Sequence, residues 1–228
     1  MSGLITSADN KTLKLVRRLA SARQRDKLGL FVCEGEDLVE AARAAGVEPV
    51  ELLVSGENVE PGLLADVSAL GHAPRVIGIF RRGDLPQRDV PPLGLALWRV
   101  GDPGNVGTLI RTADALGPAF VALSDGCADP TGPKAVRASM GALFRVPLIG
   151  FDEAPRPWVA LVPEGGGELT GATGSTFVLG AEREGIPDDV VARCDERATI
   201  PLADGAESLN VAAAGAIALY ERARRRPA

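Results

Sequence analysis

The apolar positions of the chain fall into short blocks of two kinds, and the kinds alternate. Between residues 10 and 27, Leu13, Val16 and Leu19 or Ala20 recur at helical spacing with basic residues between them, which predicts one basic amphipathic helix capped by Asp9 or Asn10. The run from Gly29 to Cys33 reads as a buried strand, and the acids of Glu34-Gly-Glu-Asp37 then open a helix over 37–45, where the helix dipole favours negative charge and Gly46 ends it. A strand over 50–54, a helix around 61–70 and a strand around 75–79 follow. The paired prolines of Asp89-Val-Pro-Pro-Leu93 mark a linker. Beyond it the alternation resumes, with strands predicted over 95–100, 119–123, 144–149, 158–162 and 176–179 and a strand end at 198–201. Helices are predicted over 106–116, 134–140, 188–193 and 208–225. Apolar runs of four to six residues without polar alternation suit a parallel sheet buried on both faces, so the fold class is α/β. The division expected is a small α/β domain over 1–90, a linker at 91–94 and a second domain over 95–228.

Composition and charge narrow the functional classes. The 228 residues are 46% hydrophobic and 4% aromatic, which gives an aliphatic core with few rings to stack on bases. The net charge of −5 argues against binding nucleic acid through the whole surface. The distribution differs from the total. Lys11, Lys14, Arg17, Arg18, Arg23, Arg25 and Lys27 face only Asp9 and Asp26 in the first 27 residues, a local excess of five positive charges, and the tail holds Arg222, Arg224, Arg225 and Arg226. Each cluster is either a solvated helix face or a surface for phosphates. Cys33, Cys127 and Cys194 form neither a Cys-x-x-Cys pair nor a disulfide framework, which points to reduced thiols and a cytoplasmic protein. No run approaches the ~18 apolar residues of a membrane span. The single His72, in a loop-like surface context, leaves no histidine triad and no histidine-rich metal site. There is no Gly-x-Gly-x-x-Gly and no Gly-x-x-x-x-Gly-Lys loop, which argues against dinucleotides and nucleoside triphosphates.

Three stretches carry candidate chemistry: Asn105-Val-Gly-Thr-Leu-Ile-Arg111, Leu179-Gly-Ala-Glu-Arg-Glu-Gly-Ile-Pro187, and the run from Ile200 through Glu207, Ser208, Leu209 and Asn210 into a small-residue helix. Each has a plain structural reading. Asn105 sits at a helix N-cap, as do Ser208 and Asn210. Arg111 lies in an otherwise apolar helix and points to water or pairs with an acid such as Asp114. Glu182 caps a loop or pairs with Arg183. Gly180 ends a strand, as a turn glycine or to let a ligand approach the backbone. Ile200 and Leu209 read as core.

In order and spacing the three stretches resemble the signature motifs of the SpoU (TrmH-like) RNA 2′-O-ribose methyltransferases, a family of the knotted SPOUT class. The likeness is nearly continuous from Leu95 onward and includes Lys134-Ala-Val-Arg-Ala-Ser-Met-Gly-Ala-Leu-Phe-Arg-Val-Pro147. The first ~90 residues, through Lys11 to Lys27 and Leu30-Phe-Val-Cys-Glu-Gly35, resemble the substrate-binding domain in front of many such enzymes, whose fold is that of small kink-turn-binding ribosomal proteins. The resemblance implies a C-terminal trefoil knot, S-adenosylmethionine as cofactor, no metal, and a homodimer with its sites near the subunit interface. It implies catalytic roles for Asn105, Arg111, Glu182, Ser208 and Asn210, and backbone contacts to the cofactor from Gly180, Ile200 and Leu209. Lys11, Lys14, Arg17, Arg18 and Arg23 become the expected RNA contacts, with ribosomal RNA favoured over transfer RNA because the tRNA-directed relatives usually lack the first domain. One stretch departs from the pattern: the family places a full helix between Ile149 and Trp158, where Pro155 and Pro157 argue against one. The readings set against this one are a non-catalytic RNA-binding or ribosome-assembly protein that keeps the fold, and an unrelated α/β enzyme acting on a small molecule.

Overall fold

The computed structural model describes residues 4–69, 73–206 and 208–225; His72, Glu207 and Arg226 lie outside them. The N-terminal part opens with α1 (Lys11–Leu19), capped by the Asn10 side chain, and α2 (Ala22–Leu28). The single helix expected over 10–27 is therefore two. Arg25 reaches back from α2 to the carbonyls of Leu19 and Ala20, both at 2.9 Å, and Ser21 between the helices is extended. β1 (Leu30–Glu34), α3 (Glu36–Ala44), β2 (Glu51–Val54) and β3 (Val76–Arg81) follow. The strands form an antiparallel sheet in the order β1-β3-β2, with Val32 opposite Ile79 and Leu53 opposite Ile77. The helix expected around 61–70 is instead a series of turns over 61–67, set off by Pro61 and by Gly62 at φ +99°. Its Leu64 and Val67 still join Leu13, Val16, Leu19, Ile77 and Ile79 in a local core.

The second part contains β4 (Gly94–Leu97), α4 (Pro103–Leu116), β5 (Phe120–Leu123), α5 (Pro133–Ser139), β6 (Leu148–Gly150), β7 (Trp158–Leu161), β8 (Gly167–Glu168), β9 (Thr176–Leu179), α6 (Asp188–Val191), β10 (Glu196–Thr199) and α7 (Val211–Ala223). The strands pair in parallel in the order β6-β5-β4-β9-β7-β10-β8. β4 lies inside the sheet, with Leu97 in register with Leu123 on one side and Leu179 on the other. Side chains alternate between two buried faces. Leu95, Leu97, Val121, Phe177 and Leu179 pack with Val106, Leu109 and Ile110 of α4 and Leu219 of α7. Ala96, Phe120, Ala122 and Val178 face Phe151, Trp158 and Val190.

One sequence expectation changes here, and one, the missing helix before Trp158, holds. The strand predicted over 144–149 is only β6; Gly141 at φ +83° starts a 3-10 turn, Ala142–Phe144, in front of it. In the segment with two prolines a single 3-10 turn, Phe151–Glu153, replaces the family's helix, and aromatic side chains fill the layer instead. Phe151 stands edge-on between Trp98 and Trp158, with centroid distances of 5.1 and 5.2 Å.

The two parts share one hydrophobic core. Phe31 and Phe80 of the antiparallel sheet pack on Phe144, at centroid distances of 6.1 and 5.2 Å. All three rings are buried, and burial of each contributes about 1.5–3 kcal/mol. Between α2 and the loop after β5, Arg25, 4% exposed, makes a two-point ion pair with Asp129 at 2.7 and 2.8 Å.

Candidate active site

The site is built at the carboxyl ends of the parallel strands, the edge where α/β sheets receive ligands. After β4 the chain turns at Asp102, whose carboxylate caps α4 by accepting the Asn105 N–H at 3.0 Å, and Pro103 follows in the first turn, where its missing N–H costs nothing. This corrects the reading of Asn105 as the cap. With Asp102 in that role, the Asn105 amide is free for other partners. Its Nδ2 donates to Glu182 Oε1 at 2.9 Å, and its Oδ1 accepts from Asn210 Nδ2 at 3.2 Å. Asn210 faces both ways, because its own Oδ1 caps α7 through the N–H groups of Ala212 and Ala213. Glu182 does not pair with Arg183. Burial tends to raise its pKa, but bonds from the Asn105 amide and from the backbone N–H groups of Glu182, Asp102 and Gly101 outweigh burial and hold it below the ordinary glutamate value.

Residues 77 and 105 positions apart thus meet in one hydrogen-bonded row, Glu182–Asn105–Asn210. Arg111 and Ser208 are not part of it. Arg111 lies six residues beyond Asn105 on α4, about 9 Å along the axis and 120° around it. It is exposed, makes no hydrogen bond or ion pair among the described residues, and leaves Asp114 to Arg145, 2.6 Å away. Ser208 is exposed in the loop before α7, without a hydrogen bond among the described residues, and α7 begins only at Val211 because Asn210 is its cap. Glu207, the remaining polar residue of that loop, is outside the described residues.

Gly180, Ile200 and Leu209 lie where β9 and β10 end and just before α7. Gly180 is glycine because the chain folds back on itself: a side chain there would run into the backbone of Gly185 and Ile186. The neighbour that requires the glycine is protein backbone, not a ligand. The turn is closed by the Gly185 N–H on the Ala181 carbonyl at 2.9 Å, with Gly185 at φ +66°. Ile200 is partly buried against the core, whereas Leu209 is 39% exposed and is not the core residue expected.

Two contributors were not among the residues selected from sequence. Asp102 supplies the helix cap and one of the backbone N–H groups on Glu182, and its second carboxylate oxygen accepts from Lys134 Nζ at 2.8 Å. The Lys134 ammonium, then the N–H of Asn105, hold the Asp102 carboxyl below its ordinary value against burial. An Asp directly before a proline at a strand end is a legible cap signal. Nothing local marks Lys134.

Among the described residues no group of three or more His, Cys, Asp or Glu is placed to hold a metal ion, and no helix is long and apolar enough to cross a membrane. The expected RNA contacts are exposed. Lys14 pairs with Asp9 at 3.0 Å, Arg17 donates to the Ala8 carbonyl, Arg18 bonds Gln24, and Lys11 and Arg23 have no partner among the described residues. In the tail, Arg224 and Arg225 pair with Glu221.

The SpoU rRNA Methylase family profile matches residues 92–220, the whole span from β4 through the cluster to α7. The chain belongs to this family. An MRM3-like substrate binding domain profile matches residues 10–78 of this SpoU-family chain. A 23S rRNA guanosine 2′-O-methyltransferase of Bacillus subtilis is 30% identical, over 95% of this chain and 97% of that one. Among solved structures, an AdoMet-bound rRNA methyltransferase from Sinorhizobium meliloti superimposes with a TM-score of 0.86 at 30% identity, covering 97% of both chains. The SpoU methyltransferase AviRb from Streptomyces viridochromogenes, in complex with AdoMet, gives 0.81 at 26% identity over 95% of this chain and 98% of that one.

The residues of this SpoU chain fit S-adenosylmethionine. Gly180 and Ile200 directly follow β9 and β10, and Leu209 is exposed just before α7. That combination suits a nucleoside: apolar contact for the ring and backbone groups for its edge.

Proposed function

We propose that the chain methylates a ribose 2′-hydroxyl of ribosomal RNA with S-adenosylmethionine as donor. The observation that carries this reading is the convergence of Asn105, Glu182 and Asn210 from three distant stretches at the carboxyl edge of the sheet. Gly180, Ile200 and Leu209 would hold the cofactor through their backbone groups. When bound, it supplies a methyl group on a sulfonium, ready for in-line displacement. The 2′-hydroxyl proton goes to solvent water as the oxygen takes the methyl group, and what the chain itself supplies is placement, which can remove ~7–11 kcal/mol of a barrier in favourable systems.

Glu182 is held ionised below its usual range, so it is a weak base and a firm anchor: it fixes Asn105, and Asn105 fixes Asn210. Arg111 and Ser208, exposed and without partners among the described residues, are the groups left to meet RNA. A guanidinium with a pKa above ~12 does not abstract a proton at neutral pH. Arg111 grips a phosphate beside the target ribose and stabilises the alkoxide as it forms. Lys11, Lys14, Arg17, Arg18 and Arg23 give residues 1–90 a phosphate-binding face, and the MRM3-like profile over residues 10–78 supports a substrate-binding role there. Residues 91–94 then join this domain to the methyltransferase domain, 95–228.

Two further features come with the family reading: a trefoil knot in the chain after β9, which the backbone trace of a crystal structure would settle, and a homodimer. Leu209, just before α7, and Tyr220, within it, are exposed large side chains at 39% and 56%, and a second copy would cover them. Light scattering reading a monomer at micromolar concentration would contradict the dimer.

The reading is tested by incubating the protein and labelled S-adenosylmethionine with unmodified rRNA and, separately, tRNA. Transfer to rRNA is expected; transfer only to tRNA would move the substrate. Tight cofactor binding by calorimetry with transfer to neither pool, assembling ribosomal particles included, would favour a non-catalytic RNA-binding protein.

A further inference from the structure

The segment between β5 and α5 touches both the N-terminal helices and the cluster. At one end Asp129 binds buried Arg25 through two nitrogens, at 2.7 and 2.8 Å, and accepts from Arg82 at 3.0 Å. Arg25 uses its third nitrogen on the carbonyls of Leu19 and Ala20, the last residue and the C-cap of the basic helix α1. Asp129 is itself locked by the N–H and hydroxyl of Thr131, at 2.8 and 2.7 Å. Gly132 donates to the Asp129 carbonyl at 3.0 Å, and a side chain on Gly132 would come within 3.3 Å of the Arg25 guanidinium. Two residues further on, Lys134 meets Asp102 at 2.8 Å, and Asp102 in turn caps α4 and helps to hold Glu182. Six residues therefore connect the end of the proposed phosphate-binding helix to the residue on which the Glu182–Asn105–Asn210 row is mounted.

We infer that residues 129–134 are a strut that sets the position of α1 relative to the methyl-transfer site, with Arg25, Asp129 and Lys134 as positioning residues. The kinetic consequence rests on the methyltransferase reading; the geometric one does not. A buried ion pair of this kind adds little net stability over an apolar replacement but is costly to break on one side. Its retention fits a role in holding one arrangement of α1 against the second domain. The RNA then has to present its target ribose at a fixed offset from the stretch that α1 grips, which selects substrates by shape before any base is read.

The test uses the full chain with spin labels at Lys14→Cys on α1 and Asp189→Cys on α6, in a background with Cys127 and Cys194 changed to Ser. The label-to-label distance distribution is compared with and without Asp129→Asn, which keeps the size of the side chain and removes the anion; if that variant does not fold, Arg25→Lys takes its place. The strut predicts a narrow distribution that broadens in the variant. In the unlabelled chain, with Lys14 and the cysteines native, Asp129→Asn is expected to raise the KM for rRNA roughly ten- to a hundredfold, the penalty typical of slight misplacement, with cofactor affinity by calorimetry unchanged. Lys134→Met, at the other end, lowers kcat and leaves the distance alone. A distribution of unchanged width, or a broadened one with an unchanged KM, overturns the inference. If the wild-type protein transfers methyl to no RNA, the reading of the site fails while the distance distribution still decides the strut.

Discussion

Asn105→Asp is the substitution that probes the cluster most sharply. It keeps the size of the side chain, the Asp102 cap of α4 and an oxygen for Asn210 Nδ2. It replaces the donor 2.9 Å from Glu182 Oε1 with a second carboxylate oxygen. The bond removed is one to a charged acceptor, worth about 1.5–3 kcal/mol. Repulsion between two carboxylates at such range adds about 1–4 kcal/mol between the limits of bulk water and a partly shielded site. Glu182 is exposed and can swing aside, so much of the repulsion becomes displacement of Glu182 rather than loss of fold. Methyl transfer should fall roughly ten- to a hundredfold at neutral pH, equivalent to about 1.4–2.7 kcal/mol of barrier. The pH dependence separates this cause from general damage. In the wild-type protein the Glu182 carboxyl sits below its ordinary value of 4.5, so the stabilisation it carries is complete above that value and is lost as pH falls through the lowered one. In Asn105→Asp the paired carboxylates raise each other, one takes up a proton as pH falls, and the variant recovers part of its deficit relative to wild type. Asn105→Ala should lose a similar amount with no such recovery. The assay is single-turnover transfer to rRNA from pH 5 to 8 for the three proteins. Near-wild-type rates for Asn105→Asp, or a ratio to wild type that is flat with pH, would refute the role given to this row.

Other predictions bear on different parts of the account. Arg111→Lys should cut the single-turnover rate at least about tenfold while leaving its pH profile in place, as expected for a weakened phosphate grip and not for a missing base; rates near wild type would remove Arg111 from any essential role. Reversing the charge at Arg17, Arg18 and Arg23 should weaken rRNA binding and flatten the log Kd against log salt plot by up to about 0.7–0.9 for each phosphate no longer neutralised; an unchanged affinity and slope would exclude α1 and α2 as the phosphate surface. Gly107→Ala should destabilise by about 1–3 kcal/mol, because the new methyl meets the Ala135 carbonyl and, at 2.6 Å, Ala138 where α4 crosses α5; an unchanged calorimetric Tm would mean that the crossing gives more freely than the backbone contact implies.

The layering was legible because period and length agree. Apolar runs at 94–97, 120–123 and 176–179 are too short for buried helices and lack polar alternation, and they form the buried parallel strands of the sheet. What escaped local reading depended on distant partners. The break between α1 and α2 is made by Arg25, whose anion lies 104 residues away. The strand foreseen over 144–149 lacks its first four residues, where Phe144 instead packs on Phe31 and Phe80 of the other part of the chain. At the site, motif order drew attention to Asn105, Glu182 and Asn210, which the fold joins by hydrogen bonds. It drew attention equally to Arg111 and Ser208, which the fold leaves facing outward. Helical spacing alone separates Arg111 from Asn105 by a third of a turn, so this much could have been read from the sequence. The Asp102–Lys134 contact joins residues 32 positions apart, and no spacing rule announces it.

The most direct test of the central claim is the chemical identity of the product. Unmodified rRNA is incubated with the protein and methyl-labelled S-adenosylmethionine, digested completely to nucleosides, and resolved. Label is expected in one 2′-O-methylnucleoside, transferred roughly ten- to a hundredfold more slowly by Asn105→Asp at neutral pH. Label on a base, or no label in rRNA from which every native methyl group is absent, would contradict the claim.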